Sequence, residues 1–343
     1  MSESTNYEVR AYRPGDEEAI LEMFNRCFAE VDPNFVPRSM DVWRWQYLDN
    51  PAGTQISVAH TAEGELFSHY AGIPQVVQYR GERGRISQAV DSVTDPRFRA
   101  GLKKPGMFVV LGLDYWSRYA GDAPEREPIV WGLPVPVAWR MGERFLEYTL
   151  IRCISRLVLD FEDPLPGRAI DAAAAATYDV EQVSAVPDDI DRLFGLASAG
   201  RGLVTVRDRD YLTWRFLTHP ERTYELWTAR DSARELRGYA VYRTGSFDGE
   251  ESGLVADWWL DPSAAGCGDA LLLALAERTR AAGQSKLQAL LADTAPEWLA
   301  FQRQGFRAVR TGYPLVARLF PRRLDVPWLH ANWYLTLGDT DLV

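Results

Sequence analysis

The sequence predicts an α/β fold laid down twice in one chain. Three observations carry this expectation. The stretch 257–306 reads strand, glycine turn, helix, strand, helix. Near the N-terminus an alternating strand runs into an amphipathic helix. The same landmarks then return in the same order about 170 residues later, a self-similarity that marks an internal repeat.

Within 257–306, the apolar run 257–262 ends in Asp261-Pro262 and is followed by the small-residue turn Ala264-Ala265-Gly266-Cys267-Gly268. Helical spacing follows over 269–283, then a second apolar run at 287–291 and a short helix at 296–304 stopped by Gly305-Phe306. A glycine turn that opens a helix can hold an anion. The glycines let the backbone approach, and the first N–H groups of the helix have no partner of their own.

At the N-terminus, Tyr7 to Tyr12 alternate as a strand, and Pro14-Gly15-Asp16 turns into a helix over 17–28 with Ala19, Ile20, Met23, Phe24 and Cys27 on one face. Strands are predicted at 55–60, 66–73, 76–79 and 85–94. The strand and helix recur at 178–183 and 187–197. Trp45-Gln46-Tyr47-Leu48-Asp49-Asn50-Pro51 is echoed by Trp214-Arg215-Phe216-Leu217-Thr218-His219-Pro220, and Asp91-Ser92-Val93-Thr94-Asp95-Pro96 by Asp257-Trp258-Trp259-Leu260-Asp261-Pro262. The Trp-containing matches read as core-packing helix ends. Residues 1–165 and 176–320 are therefore expected to be two domains with a linker near 172–176, and 321–343 a tail packing where the domains meet.

The order and spacing of these pieces resemble the GNAT family of acyl-CoA-dependent acyltransferases, whose pyrophosphate loop reads Arg/Gln-x-x-Gly-x-Gly/Ala. Ser263-Ala264-Ala265-Gly266-Cys267-Gly268 is similar to that loop, and Phe301-Gln302-Arg303-Gln304-Gly305-Phe306 to the family's Tyr-x-x-x-Gly-Phe. Ser263 supplies no cation and Phe301 no hydroxyl. In the first half, Arg97-Phe98-Arg99-Ala100-Gly101-Leu102-Lys103-Lys104-Pro105-Gly106-Met107-Phe108 keeps an arginine and two glycines with extra residues between them, and Ala138 stands where the family has its tyrosine.

The resemblance implies an α/β (α+β) fold of two GNAT-like domains, each a twisted mixed β-sheet flanked by helices. It further implies an N-terminal half that binds acetyl-CoA, or another short acyl-CoA, and a degenerate C-terminal half. Arg99, Gly101, Gly106 and Met107 would hold the pyrophosphate with help from Lys103 and Lys104, and Val93 and Thr94 would pair with pantetheine. Asp91 is the candidate general base, and in the tail, read from Trp328 on as an aromatic strand followed by two acids, Asp339 and Asp341 are candidates to bind a cationic amine. The implied reaction is acyl transfer to a primary amine of a small molecule. Two other readings stand beside it: a GNAT-fold binding protein without catalysis, and an aminoacyl-tRNA-dependent ligase of related tandem architecture.

Composition narrows the partners. With 38 basic and 48 acidic residues the net charge is −10 and no long basic patch is present, which argues against nucleic acid or an anionic membrane. Cys27, Cys153 and Cys267 are isolated and His60, His69, His219 and His330 scattered, so neither metal nor disulfide is expected. The polar, acidic start and the lack of a long apolar run predict a cytoplasmic protein that does not span a membrane. No oligomeric state is assigned from the sequence.

Overall fold

The computed structural model describes residues 7–98, 106–165, 170–321 and 324–342. The chain forms two compact units, neither of which is one continuous segment. Met1–Val76, Gly84–Ile151 and Pro314–Val326 make the first, and Val77–Arg83, Arg152–Tyr313 and Pro327–Val343 the second.

The first unit contains β1 (Tyr7–Ala11), α1 (Glu17–Ala29), α2 (Met40–Tyr47), β2 (Gln55–Thr61), most of β3 (Leu66–Tyr79), β4 (Glu82–Thr94), α3 (Met107–Tyr119), β5 (Ile129–Gly132) and α4 (Pro136–Phe145). The sheet runs β1-β2-β3-β4-β5, and a strand from the far end of the chain completes it, with Val316 to Leu319 antiparallel to β5. On α1, Glu17 and Glu18 occupy the first turn, where the helix dipole favours acids. Ile20, Leu21, Met23, Phe24 and Cys27 are buried. Leu21 thus takes the place expected for Ala19, which is exposed. A core of Phe67, Tyr70, Leu111, Tyr115, Trp116, Leu146 and Tyr148 packs α3 against the sheet. The strand break expected before Val76 does not occur. Pro74 lies between the β2 ladder, which ends at Gly72, and the β8 ladder, which begins at Val77, so neither ladder needs its missing N–H.

The second unit takes in the rest of β6 (Thr149–Asp160), then α5 (Ala172–Ala175), β7 (Asp179–Val183), α6 (Ile190–Ser198), β8 (Leu203–Thr205), α7 (Arg209–Leu212), β9 (Glu225–Arg230), β10 (Leu236–Phe247), β11 (Glu250–Leu260), α8 (Cys267–Ala281), β12 (Lys286–Ala289), α9 (Pro296–Arg303), the first part of β13 (Arg307–Leu319), whose residues from Pro314 on belong to the first unit, and most of α10 (Val326–Asn332). Its strand order is β7-β9-β10-β11-β12-β6. In each sheet, then, four antiparallel-linked strands lead to a parallel pair, β4 with β5 or β11 with β12, and an antiparallel strand seals the far side. The sealing strands are traded. β6 pairs with β12 and β13 with β5, so each half of the sequence finishes the other half's sheet.

Two expectations change here. Residues 172–176 are not a bare linker: α5 forms there, capped by Asp171, whose side chain accepts from the amides of Ala173 and Ala174, and it packs on α8. The tail does not begin as a strand. Val326–Asn332 is helical, with Pro327 at its start where a missing N–H costs nothing. Beyond it come two isolated bridges, Leu203 with Trp333 and Leu291 with Thr336, and a 3-10 turn over Leu337–Asp339.

Candidate functional site

The parallel pairs come apart at corresponding places. β4 pairs with β5 only at Ser87–Val130 and Gln88–Trp131, yet β4 continues to Thr94. β11 pairs with β12 from Gly253 to Val255 and continues to Leu260. Each unit therefore has a wedge between two diverging strands that no longer pair with each other.

In the first unit the wedge is a cavity of about 320 Å³. Ser92, Val93 and Thr94 of β4 form one wall, Val137, Ala138 and Met141 of α4 another, and Phe108 of α3, Phe28 of α1 and His69 of β3 complete it. Val31, Val135 and Val137, between 63% and 69% exposed, stand among the lining residues with nothing to bury them. α3 starts beside this cavity. Its N-cap is Gly106 in an extended conformation, and its first turn carries no acid, so no side chain of that turn complements the positive end of the helix.

In the second unit the corresponding wedge is filled by the chain itself. Tyr334 donates to the carbonyl of Trp258 at 2.6 Å, and Thr336 donates to Asp257 at 2.8 Å. A Cβ on Gly338 would stand 2.9 Å from the carbonyl oxygen of Ala256. The start of α8 is closed as well. Gly266 adopts φ +81° at its N-cap, where a Cβ would lie 2.9 Å from the carbonyl oxygen of Ala174 on α5, and Tyr178 donates to the carbonyl of Ala265. Asp269 in the first turn of α8 already complements the dipole.

The repeated aspartates turn out to be matched by repeated arginines. Asp91 is held by Arg38, which precedes α2, and by Tyr47, with Gln46 at 3.3 Å. Asp257 is held by Arg207, which precedes α7, and by Tyr239 at 2.6 Å. The second element of each motif is a turn device: Asp95 accepts the amide of Arg97 and Asp261 that of Ser263, two residues on in each case.

These contacts bear directly on the residues singled out from the sequence. Burial by itself would raise the Asp91 carboxyl, but the Arg38 charge and the hydrogen bonds of Arg38 and Tyr47 outweigh it and hold it below the usual carboxylate range. A carboxylate so stabilised in its charged form is a weak base. Asp339 is not open to an amine: its side chain is 1% exposed, pairs with Arg207 at 2.9 Å and accepts the Thr336 amide at 2.8 Å. Asp341 is exposed, two residues beyond it. Val93 and Thr94 line the cavity, and Gly106 and Met107 open α3. Arg99, Gly101, Lys103 and Lys104 lie outside the described residues.

One residue in the cavity wall carried no signal in the sequence beyond being one of four scattered histidines. His69 is 2% exposed, and its Nδ1 lies 2.9 Å from the backbone carbonyl oxygen of Asp91. Asp91 has φ +52°, a left-handed kink in β4 held by the Arg38 and Tyr47 contacts. Burial favours the neutral ring and, against the attraction of Asp91, keeps the imidazole below its ordinary value.

A wedge between two parallel strands with a helix start at its open end, made twice, defines a tandem acyltransferase-like α/β fold, and known structures agree. A GCN5-related N-acetyltransferase from Kribbella flavida superposes with TM-score 0.63 at 15% identity, covering 92% of this chain and 71% of that one. A GCN5-related N-acetyltransferase from Anabaena variabilis does so with TM-score 0.63 at 14% identity, covering 92% and 73%. A tandem GNAT protein from the clavulanic acid biosynthesis pathway aligns over 93% of this chain and 100% of its own, with TM-score 0.56 at 14% identity. The chain has the GNAT fold in tandem. No protein-family model matches the sequence, and a search of the curated proteins finds no match. Among the described residues no group of His, Cys, Asp and Glu side chains could hold a metal ion, and no helix is long and apolar enough to cross a membrane.

Proposed function

We infer that the protein is an acyl-CoA-dependent N-acyltransferase whose first unit binds the thioester, with acetyl or another short acyl group passing to a primary amine of a small molecule. The observation that carries this reading is the contrast between the wedges: one is an apolar cavity beside a helix start with no acid in its first turn, the other is packed with the chain's own tail. A phosphate group gains at a helix N-terminus both from unpaired amides and from the dipole. A pantetheine arm laid along β4 would meet strand backbone freed by the loss of β5, in the manner of an added strand. The exposed valines would be covered by the occupant.

Catalysis in such a site comes first from holding the thioester carbonyl and the amine together. The test is calorimetry with acetyl-CoA on the wild type, Gly106→Glu and Ala138→Trp. The first variant sets a carboxylate at the start of α3 and the second fills the cavity. Binding by the wild type and its loss in both variants is the expected result; a wild type that does not bind, or variants that bind equally well, would end the reading.

A further inference from the structure

We propose that His69 is the catalytic base of this site and that, in the absence of the usual tyrosine, the same imidazole returns the proton to the leaving thiolate. The inference rests on the acyl-transfer reading and names the residue that moves the proton. Its partner at Nδ1 is a backbone carbonyl oxygen, that of Asp91 at 2.9 Å, which can only accept. Nδ1 therefore carries the hydrogen and donates it, which leaves the lone pair of the neutral ring on Nε2. Nε2 is buried and has no hydrogen-bond partner among the described residues, while the ring lines the cavity together with Ser92, Val93 and Thr94. A buried acceptor without a donor costs stability, so its persistence in a cavity wall suits a group that meets its donor only when substrate is present.

The surroundings fit this task. Asp91 faces the ring through its carbonyl and its charge, Arg38 neutralises that charge, and the Tyr47 ring meets the imidazole edge to face at 6.2 Å. Asp91, Arg38 and Tyr47 thus act as positioning residues: they fix the kink that presents the carbonyl, and so fix the tautomer. In the reaction the amine nitrogen uses its lone pair to form the C–N bond at the thioester carbonyl. The C–S bond then breaks with its electron pair on sulfur, and the proton shed by nitrogen goes to Nε2. The imidazolium passes that proton to the thiolate, so amide and free CoA thiol leave with His69 neutral again. Ala138 at the position of the missing tyrosine leaves no other acid there.

The experiment combines two measurements. Long-range proton–nitrogen NMR of the labelled wild type reads the His69 ring, assigned by loss of its signals in His69→Gln. The expected result is an Nδ1–H tautomer that stays neutral below pH 6.5, with an Nε2 resonance that moves when acetyl-CoA is added. Thiol release from acetyl-CoA with 2-phenylethylamine as the amine probe is then followed against pH. His69→Gln is expected to lower kcat by about 10² to 10⁴ and to remove the acid limb of the profile, while calorimetry still shows acetyl-CoA binding. A hydrogen on Nε2, an Nε2 resonance blind to acetyl-CoA, or a variant that binds acetyl-CoA and keeps the wild-type rate and acid limb would overturn the assignment. Failure of the wild type to bind acetyl-CoA would instead remove the acyl-transfer reading on which it rests.

Discussion

Arg207 meets Asp257 with both side chains fully buried, its Nε 3.1 and 3.2 Å and one terminal nitrogen 3.0 Å from the carboxylate oxygens. The same terminal nitrogen also donates to Asp339, at 2.9 Å. Burial opposes the charge on Arg207, but Asp257 and Asp339 together raise its pKa well above the ordinary value. Arg207→Ala leaves two carboxylates in a dry site, and its expected cost is about 3–5 kcal/mol. Arg207→Met combined with Asp257→Leu should cost less than Arg207→Ala alone, because it leaves one buried carboxylate, Asp339, without its cation in place of two. Denaturant midpoints of the three proteins check the order.

Truncation after Leu337 tests the tail. It deletes Asp339, and with it the Gly338 and Thr340 carbonyls that accept from Arg215 at 2.8 and 2.9 Å. Because two buried arginines lose acceptors, the expected effect is a loss of about 3 kcal/mol or more from the second unit. Acetyl-CoA should still bind below the lowered melting temperature. A truncated chain that melts like the full one would show that the tail adds nothing to stability.

Acid should weaken the protein in two stages. The Nδ1 of His219 accepts the amides of Glu221 and Arg222 at 3.2 and 3.0 Å. Burial, then the charges of Arg222, Arg215 and Arg243, push the ring down to about 3. The folded value lies below the unfolded one of about 6.5, so protons favour the unfolded chain. Stability is complete above about pH 6.5 and falls as the pH drops toward 3; His69, also depressed, acts in the same direction. Below about pH 4 the paired carboxylates Asp91 and Asp95, both depressed, add to the loss. His219→Asn keeps an acceptor without titrating and should flatten the first stage in melting curves taken from pH 7 to 4.

Glu127 points the other way. It is 0% exposed and takes the Gln55 amide on one oxygen, and burial pushes its carboxyl up. With the folded value above the unfolded one, its contribution is full below about pH 4.3 and lost as pH rises through the folded value. Glu127→Gln should therefore gain on the wild type as pH goes from 5 to 8, and a constant difference across that range would refute the argument.

Much of this architecture was legible from local pattern. The glycine turn at Gly266 before α8, the Asp-Pro turns at Asp95 and Asp261, and the Trp45 and Trp214 matches each follow from chemistry within a few residues. The site was less so. Asp91 looked like a base because its strand position suited one, and its partner Arg38 stands 53 residues away along the chain, where no periodicity points to it. His69 lies in an ordinary alternating strand; what sets it apart is the kink at Asp91 on the neighbouring strand and the cavity beyond, both created by tertiary packing. The traded strands were invisible for a similar reason, since β6 and β13 carry patterns that either sheet would accept.

The trade of β6 and β13 has a consequence for how the molecule is made. On the ribosome, β5 has emerged long before Val316 to Leu319 can reach it, so the first sheet waits with a bare flank through most of synthesis. The two halves have thereby lost their independence as genes: a chain cut between them would yield one fragment lacking its closing strand and another lacking its own, and only co-expression could restore both.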